Sequence, residues 1–190
     1  MKSAVRQILL SPIPINPSPN SLFLPAITGN WDLSNATLSS TGIIEEISTN
    51  APHAILKLNP PWFALQNNIA YQWTVWVRPL NRRFCYLSIC PNSASSRFVT
   101  VWGLDGQGLL DTKQIGSTVT NTSFSYKRIQ QGISRIQFRF TITSGASNQA
   151  PIIGAVDTFP PVYSGVFDVN YAGINGSPAI QVVANEVIAI

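Results

Sequence analysis

The sequence predicts an all-β fold in which short strands form a two-layer sandwich or a barrel. From Leu22 onwards, apolar and β-branched runs are separated by turn residues at short, regular intervals, which is typical of both architectures. Residues 135–142 alternate polar and apolar side chains throughout, so this strand needs one solvent-facing side and one core-facing side. No segment keeps a helical repeat of apolar residues over three turns.

Length and composition indicate one domain, residues 21–190, that follows a distinct leading segment, residues 1–20. A chain of 190 residues can bury roughly 70% of its unfolded surface in a single core. Charged residues make up 11% of the sequence and hydrophobic residues 45%, whereas roughly 25% charged residues is typical. Low charge with plentiful aromatic and β-branched residues favours a rigid β protein that belongs to an assembly, and it does not suit disorder.

The leading segment has proline at positions 12, 14, 17 and 19. Proline excludes a helix here and favours an extended, polyproline-like path. We expect an extended N-terminal arm that docks on a neighbouring subunit through its apolar side chains, namely Ile8, Leu9, Leu10, Ile13 and Ile15. The alternative is an unstructured tail. The apolar run at residues 8–10 is too short for the core of a secretory signal.

Strands are predicted wherever apolar runs lie between turn residues. The predicted strands are residues 42–47, 53–59, 69–78, 83–90, 97–103, 109–115, 124–129, 135–143, 152–157 and 180–188. The sequence Asp-Gly-Gln-Gly at residues 105–108 is predicted to be a turn between strands. It is not predicted to be a phosphate loop, because no helix follows it.

The two strands at residues 71–78 and 83–89 are predicted to form a β-hairpin, because a short link with Pro and Asn joins them. Alternation divides the first strand into two sides. The side predicted to face the core carries Tyr71, Trp73, Val75 and Val77. The opposite side carries Gln72, Thr74, Trp76 and Arg78.

Charge and cysteine usage restrict the classes of partner. The 12 Lys and Arg residues exceed the 8 Asp and Glu residues, but they are scattered, whereas nucleic-acid binding needs a clustered basic surface. No apolar run reaches the ~20 residues of a membrane span. Cys85 and Cys90 lie five positions apart, so on one strand they point to opposite faces. Free buried thiols are therefore expected, which fits assembly in a reducing cytoplasm.

The predicted binding site is the outward side of residues 71–78. An exposed aromatic ring stacks on the apolar face of a sugar, while Arg and Gln side chains bond its hydroxyl groups. Trp76 with Gln72 and Arg78 has this composition, and Trp62 in the loop after Pro60-Pro61 is a second candidate. The alternative is that these tryptophans are covered by another sheet, by the arm or by a subunit.

No enzymatic activity, cofactor or metal site is predicted. His53 is the only imidazole base, and a structural role is expected for it. Glu45 and Glu46 are adjacent, so on a strand they face opposite ways and cannot act as a pair. Asp157, Asp168 and Glu186 could contribute to a structural calcium site, but their spacing does not define one.

The order of several features resembles a known family. These features are a Trp beside an Asn-rich turn (residues 29–35), a Tyr-led strand with Thr74 and Arg78, a Phe-x-x-Leu strand (residues 84–87), a glycine turn after Trp102, an Arg-led amphipathic strand (residues 135–143), and a closing Tyr-x-Gly (residues 171–173) followed by an apolar run and Glu186. From about Leu22 to Ile190, the sequence resembles the carbohydrate-binding-module-like jelly-roll domains of bacteriophage structural and tail-associated proteins.

The resemblance implies an antiparallel two-sheet jelly roll and a place in a bacteriophage virion assembled in the host cytoplasm. We expect a homo-oligomeric capsid decoration or cement protein that contacts major capsid or tail proteins without covalent bonds. A trimer would suit a lattice with local threefold positions. The alternative is a glycan-binding tail or fibre module that adsorbs to a host surface polysaccharide. Neither function involves nucleic acid or a membrane.

Overall fold

The computed structural model describes residues 21–23, 32–56, 65–91, 97–116, 118–129, 132–144, 149–164 and 168–190, and these residues form sixteen β-strands and no α-helix. The strands are β1 (Ser21–Phe23), β2 (Asp32–Ser34), β3 (Ala36–Leu38), β4 (Ile43–Glu46), β5 (Asn50–Pro52), β6 (Ala54–Leu56), β7 (Ala70–Pro79), β8 (Phe84–Pro91), β9 (Arg97–Gly103), β10 (Gly108–Ile115), β11 (Val119–Arg128), β12 (Ser134–Ile142), β13 (Gln149–Val156), β14 (Val162–Ser164), β15 (Asp168–Ala172) and β16 (Pro178–Ala189).

Two large antiparallel sheets carry most of the strands. Sheet A has the order β11-β12-β7-β16-β4-β3, and β1 also pairs with β16. Sheet B has the order β10-β9-β8-β13-β6-β2. A small third sheet, sheet C, has the order β14-β15-β5. The predicted two-sheet antiparallel β-sandwich is confirmed.

The strand pairs are nested along the chain. β4 pairs with β16, β6 with β13, β7 with β12 and β8 with β9, each time antiparallel. An early strand therefore pairs with the last one, and the innermost pair consists of consecutive strands. This nesting over two sheets is a jelly-roll topology. β10 and β11 then widen sheets B and A on the same side of the sandwich.

The core between the sheets is rich in aromatic side chains. The side of β7 predicted to face inward is buried, with Trp73, Val75 and Val77 at 0% exposure and Tyr71 at 1%. Phe138 of β12 stacks on Phe98 of β9, with ring centroids 5.3 Å apart, and so joins the two sheets. Complete burial of each such side chain contributes about 1.5–3 kcal/mol. The core therefore stabilises the sandwich chiefly through its large apolar residues.

The buried thiol of Cys85 also belongs to this core. It is free, as predicted, and burial raises its pKa well above the ordinary value. A thiol in this state is a small apolar side chain and a poor nucleophile. The side chain of Cys90 lies outside the described part of the chain.

The predicted hairpin between residues 71–78 and 83–89 is wrong, because β7 lies in sheet A and β8 in sheet B. The link between them bonds to the beginning of β16 instead of closing a hairpin. The amides of Leu80 and Arg82 donate to the carbonyl of Ala179 at 3.1 and 3.0 Å, and the amide of Asn81 donates to Pro178 at 3.1 Å. These bonds carry the chain out of one sheet and into the other.

The other predicted strands overlap observed strands, and β9 has the predicted bounds. Six short strands were not predicted, namely β1, β2, β3, β5, β14 and β15. Each has three to five residues, which is too short for a clear alternation of polar and apolar residues. The predicted arm, residues 1–20, lies outside the described residues, as does each of its apolar side chains.

Candidate functional site on the outer face of sheet A

Four neighbouring strands of sheet A turn a polar surface away from the core. We call this surface the outer face; it comprises Ser123, Ser125 and Lys127 of β11, Arg135, Gln137 and Arg139 of β12, Gln72, Thr74, Trp76 and Arg78 of β7, and Gln181, Ala184 and Glu186 of β16. Their register places them in rows across the sheet, because alternate residues of each strand point to the same side.

Hydrogen bonds between side chains connect neighbours within these rows. Arg139 Nε donates to Gln72 Oε1 at 2.9 Å. Ser125 Oγ donates to Gln137 Oε1 at 3.0 Å. On the other side of β7, Arg78 Nη1 donates to Gln181 Oε1 at 3.0 Å. Such bonds restrict the side-chain rotamers and so preorganise the polar groups of the face.

Trp76 is the one aromatic residue among the described members of the outer face, and it is half-buried. Its register partners are Arg135 on β12 and Ala184 on β16. The pairing of β16 is irregular between Val182 and Ala184, and Val183 there is 38% exposed. In the sheet, Trp76 therefore has a small residue on one side and a cation on the other, and it keeps part of its surface exposed.

Two arginines beside Trp76 keep hydrogen-bonding capacity unused. The Nε atoms of Arg78 and Arg135 are buried and have no hydrogen-bond partner among the described residues. Arg78 spends one terminal nitrogen on Gln181. The guanidinium of Arg135 donates to no residue in the described part of the chain. The buried Nε atoms are out of reach of a ligand, so the donors available beside Trp76 are the terminal nitrogens of these two guanidinium groups that donate to no described residue.

A shallow groove of about 210 Å³ lies at the β11 side of the outer face. It is lined by Ser123, Phe124, Ser125, Gln137 and Arg139. Hydroxyl, amide and guanidinium groups dominate this lining. The groove can thus bond hydroxyl-bearing or anionic groups, and it lies on the same face as Trp76.

The structure places the predicted binding residues Gln72, Trp76 and Arg78 together on one face. Trp62, also predicted, lies outside the described residues. The prediction missed Arg135, Gln137 and Arg139. The alternation within residues 135–142 already turned these three side chains outward, but nothing local to the sequence reveals that β12 lies beside β7.

A second polar cluster is buried and connects sheet A to sheet C. The carboxylate of Glu46 forms an ion pair with Arg82, whose Nη2 lies 2.7 Å from Oε2. Glu46 also accepts a hydrogen bond from the Tyr171 hydroxyl at 3.1 Å and one from the Ile174 amide at 2.8 Å. Burial alone would raise the pKa of Glu46, but these hydrogen bonds and the Arg82 charge lower it below its ordinary value of 4.5.

His53 lies in this buried cluster. Its ring is 4.2 Å from that of Tyr171, and Nε2 lies 2.5 Å from the carbonyl oxygen of Ile47. A Cβ on Gly173 would come within 2.6 Å of the same Nε2, so a glycine is needed for this close packing. His53 has 0% exposure, which is consistent with the structural role predicted for it. Glu45 points away from Glu46, as predicted, and accepts a hydrogen bond from Thr37 at 3.1 Å.

Within the described ranges, no group of three or more His, Cys, Asp or Glu residues is arranged to hold a metal ion. The described part of the chain also contains no helix that is long and apolar enough to cross a membrane. No model of a known protein family matches the sequence, and no curated protein matches it.

Proposed function

We propose that this chain is a structural protein of a bacteriophage particle. It decorates the capsid and binds neighbouring subunits through residues 1–20. In this proposal it forms a homo-oligomer, for which a trimer would suit local threefold positions of a lattice, and it contacts the major capsid protein or a tail protein. The jelly-roll body is the rigid part of the protein. Contacts with neighbouring subunits are made by the apolar residues of the leading segment, namely Ile8, Leu9, Leu10, Ile13 and Ile15.

The observation that carries this proposal is the position of β1. Ser21, Leu22 and Phe23 pair with Ile188, Val187 and Glu186 at one end of β16. Ser21 therefore lies beside Ile188 at the end of β16, two residues before Ile190, which is 57% exposed. A segment fixed to a sheet at its root and rich in apolar residues is suited to bridging subunits, because its attachment point is rigid.

Two double variants of the full-length chain test the proposed contacts of residues 1–20. Ile13→Asp with Ile15→Asp places charge on the proposed contacts, whereas Ser18→Asp with Asn20→Asp places the same charge on polar positions of the same segment. Incubated with phage particles that lack the chain, the first variant should fail to co-sediment and the second should bind like the unmodified protein. Circular dichroism should report an unchanged β fold for both.

Equal binding by both variants would show that the apolar side chains of residues 1–20 do not make the contacts with the particle. The wider proposal depends on where the protein is found in the particle. If mass spectrometry of purified particles from the source culture found no copies of the chain, the decoration role would be wrong.

A second candidate function is adsorption to a host surface polysaccharide, as a glycan-binding module of a tail or fibre. The arrangement of Trp76 beside the unpaired donors of Arg78 and Arg135 favours it. Loss of glycan-array binding in Trp76→Ala, with retention in Trp76→Phe, would support adsorption. A chain that binds no glycan on the array would contradict it.

A further inference from the structure

We propose that the outer face of sheet A binds an acidic polysaccharide, with a sugar ring against Trp76 and its carboxylate or sulfate group on the guanidinium of Arg135. This inference rests on the second candidate function above and adds the chemical class of the ligand. Arg135 is not among the binding residues that were predicted from the sequence.

The first argument is the distribution of charge across the outer face. Its basic residues, Lys127, Arg135, Arg139 and Arg78, all lie on the three adjacent strands β11, β12 and β7. Its acidic residue, Glu186, lies on β16 and pairs in register with Thr74. Segregated charge of this kind gives one half of the face a positive potential, which attracts an anionic ligand.

The second argument is the availability of donors. The Nε atom of Arg139 donates to Gln72, and one terminal nitrogen of Arg78 donates to Gln181. Arg135 has no such partner among the described residues. Charged groups held in a protein without partners call for an explanation, and a ligand acceptor is one. The planar guanidinium matches a carboxylate or a sulfate, since it can donate two parallel hydrogen bonds.

The third argument is the placement of Arg135 relative to the aromatic ring. Trp76 and Arg135 are register partners on adjacent antiparallel strands, which puts their Cβ atoms about 4.5–5.5 Å apart. An acidic group projects from the edge of a sugar ring. If the sugar ring stacks on Trp76, its acidic group lies over the neighbouring strand and can accept hydrogen bonds from the terminal nitrogens of Arg135.

The same strand provides contacts for further sugar units. Arg139 lies four residues beyond Arg135 on the same side of β12, roughly 13 Å away at about 3.3 Å per residue. It lines the polar groove together with Ser123, Ser125 and Gln137. A polymer that runs along β12 would thus meet a cation near each end and amide or hydroxyl groups between them. A single aromatic among many amides and hydroxyls suits sugars better than nucleic acid, whose bases need several stacking platforms.

Isothermal titration calorimetry with defined probes tests the proposal. The probes are oligogalacturonides for the carboxylate, sulfated dextran oligomers for the sulfate, neutral dextran oligomers, and a single-stranded DNA of matched charge. We expect at least one acidic saccharide to bind and the neutral dextran not to bind. Arg135→Ala and Trp76→Ala should each weaken binding about tenfold or more, the effect of losing a charged hydrogen bond or a stacking partner.

Arg83→Ala is the matched control, because Arg83 is an exposed arginine in the link between β7 and β8 and is not a member of the outer face. It removes the same charge and should change the affinity less than about twofold if binding depends on the site. Arg135→Lys keeps the charge but not the planar donor pair, so it should bind with intermediate affinity. Thermal melting checks that each variant is folded.

The outcomes separate this inference from the function on which it rests. Neutral dextran that binds as well as the acidic saccharides, with no effect of Arg135→Ala, would overturn the acidic ligand but leave glycan adsorption standing. Absence of binding to every saccharide would overturn both. DNA that binds as tightly as the saccharides, with equal losses in Arg83→Ala and Arg135→Ala, would show general charge attraction and overturn the site.

Discussion

At the scale of single residues, Glu46 connects β4 to three other segments of the chain. Its carboxylate bonds to Arg82 in the link after β7, to Tyr171 on β15 and to the amide of Ile174 in the following loop. The side chain of Glu46 is 0% exposed and that of Arg82 is 18% exposed. Removal of one partner from a buried pair leaves the other charge without compensation, which costs more than the pair itself contributes.

Glu46→Gln should therefore lower the free energy of unfolding by about 3 kcal/mol at pH 7. Because folding lowers the pKa of Glu46 below 4.5, its contribution is present above that pH and is lost as the pH falls through the folded-state pKa. Urea denaturation at pH 7 and pH 3 should show a large difference between wild type and variant at pH 7 and a smaller one at pH 3.

Glu45→Gln is the control for this prediction. Glu45 is the neighbouring carboxylate and bonds only to the hydroxyl of Thr37 in the described part of the chain, so its replacement should cost less than about 1 kcal/mol. An equal effect of Glu46→Gln at both pH values would mean that the ion pair does not stabilise the fold.

The sequence predicts part of this residue-scale detail. Alternation on β4 separates Glu45 from Glu46, and alternation on β12 turns Arg135 outward. The partners cannot be predicted in this way, since Arg82 meets Glu46, and Arg135 meets Trp76, only after distant strands have paired. The candidate site was therefore predicted on β7 alone, without its neighbour on β12.

On the scale of elements, the C-terminal half of β16 lies between β7 and the short strand β1. β4 occupies the same side as β1 along the first half of β16, at Pro178, Ile180 and Gln181. β1 therefore completes the sheet where β4 has ended. Without β1, the backbone groups of Glu186 to Ile188 that face it would form an open edge, which invites pairing with other chains.

A pair of truncations tests the contribution of β1. A chain that begins at residue 21 keeps β1 and should retain the thermal stability of the full chain to within a few degrees. A chain that begins at residue 25 loses β1, and its free energy of unfolding should fall by about 1–3 kcal/mol, the net value of a few backbone hydrogen bonds. Chemical denaturation of both proteins measures the difference, and equal stabilities would contradict the role given to β1.

Element prediction succeeded where strands are long and failed where strand partners had to be chosen. β7, β9, β12 and β16 have clear apolar patterns and were found. The hairpin of β7 with β8 was wrong, because a short link with Pro and Asn fits a turn within one sheet as well as a crossing between two sheets. The hydrogen bonds from that link to Ala179 direct the chain into the second sheet, and they depend on a strand about a hundred residues later.

On the scale of the whole molecule, nested pairing makes many of the contacts long-range. Ile44 pairs with Ile180, and Ile55 pairs with Ile153. Each of these pairs closes a long loop. The chain loses the conformational entropy of that loop before the pair can stabilise the fold. The order of strands in each sheet was not predicted from local patterns, since no local pattern encodes it; the jelly-roll expectation came from the order of motifs along the chain.

This topology predicts slow folding. Refolding from urea, followed by tryptophan fluorescence in a stopped-flow instrument, should take milliseconds to seconds, as in other β-sandwiches of high contact order. The recovery of fluorescence should track the burial of Trp73 and Trp102, both at 0% exposure. Complete refolding in microseconds would contradict dominance by long-range strand pairs.

The pairing of β1 with the end of β16 also decides where this protein can carry foreign cargo. A domain fused after Ile190 would emerge next to β1, where the leading segment joins the body, and would compete for space with the proposed partner of that segment. The turn at Asp105, Gly106 and Gln107 is exposed and lies at the opposite end of the strands, near the link at Arg83. Peptides for display on a particle surface therefore belong in that turn.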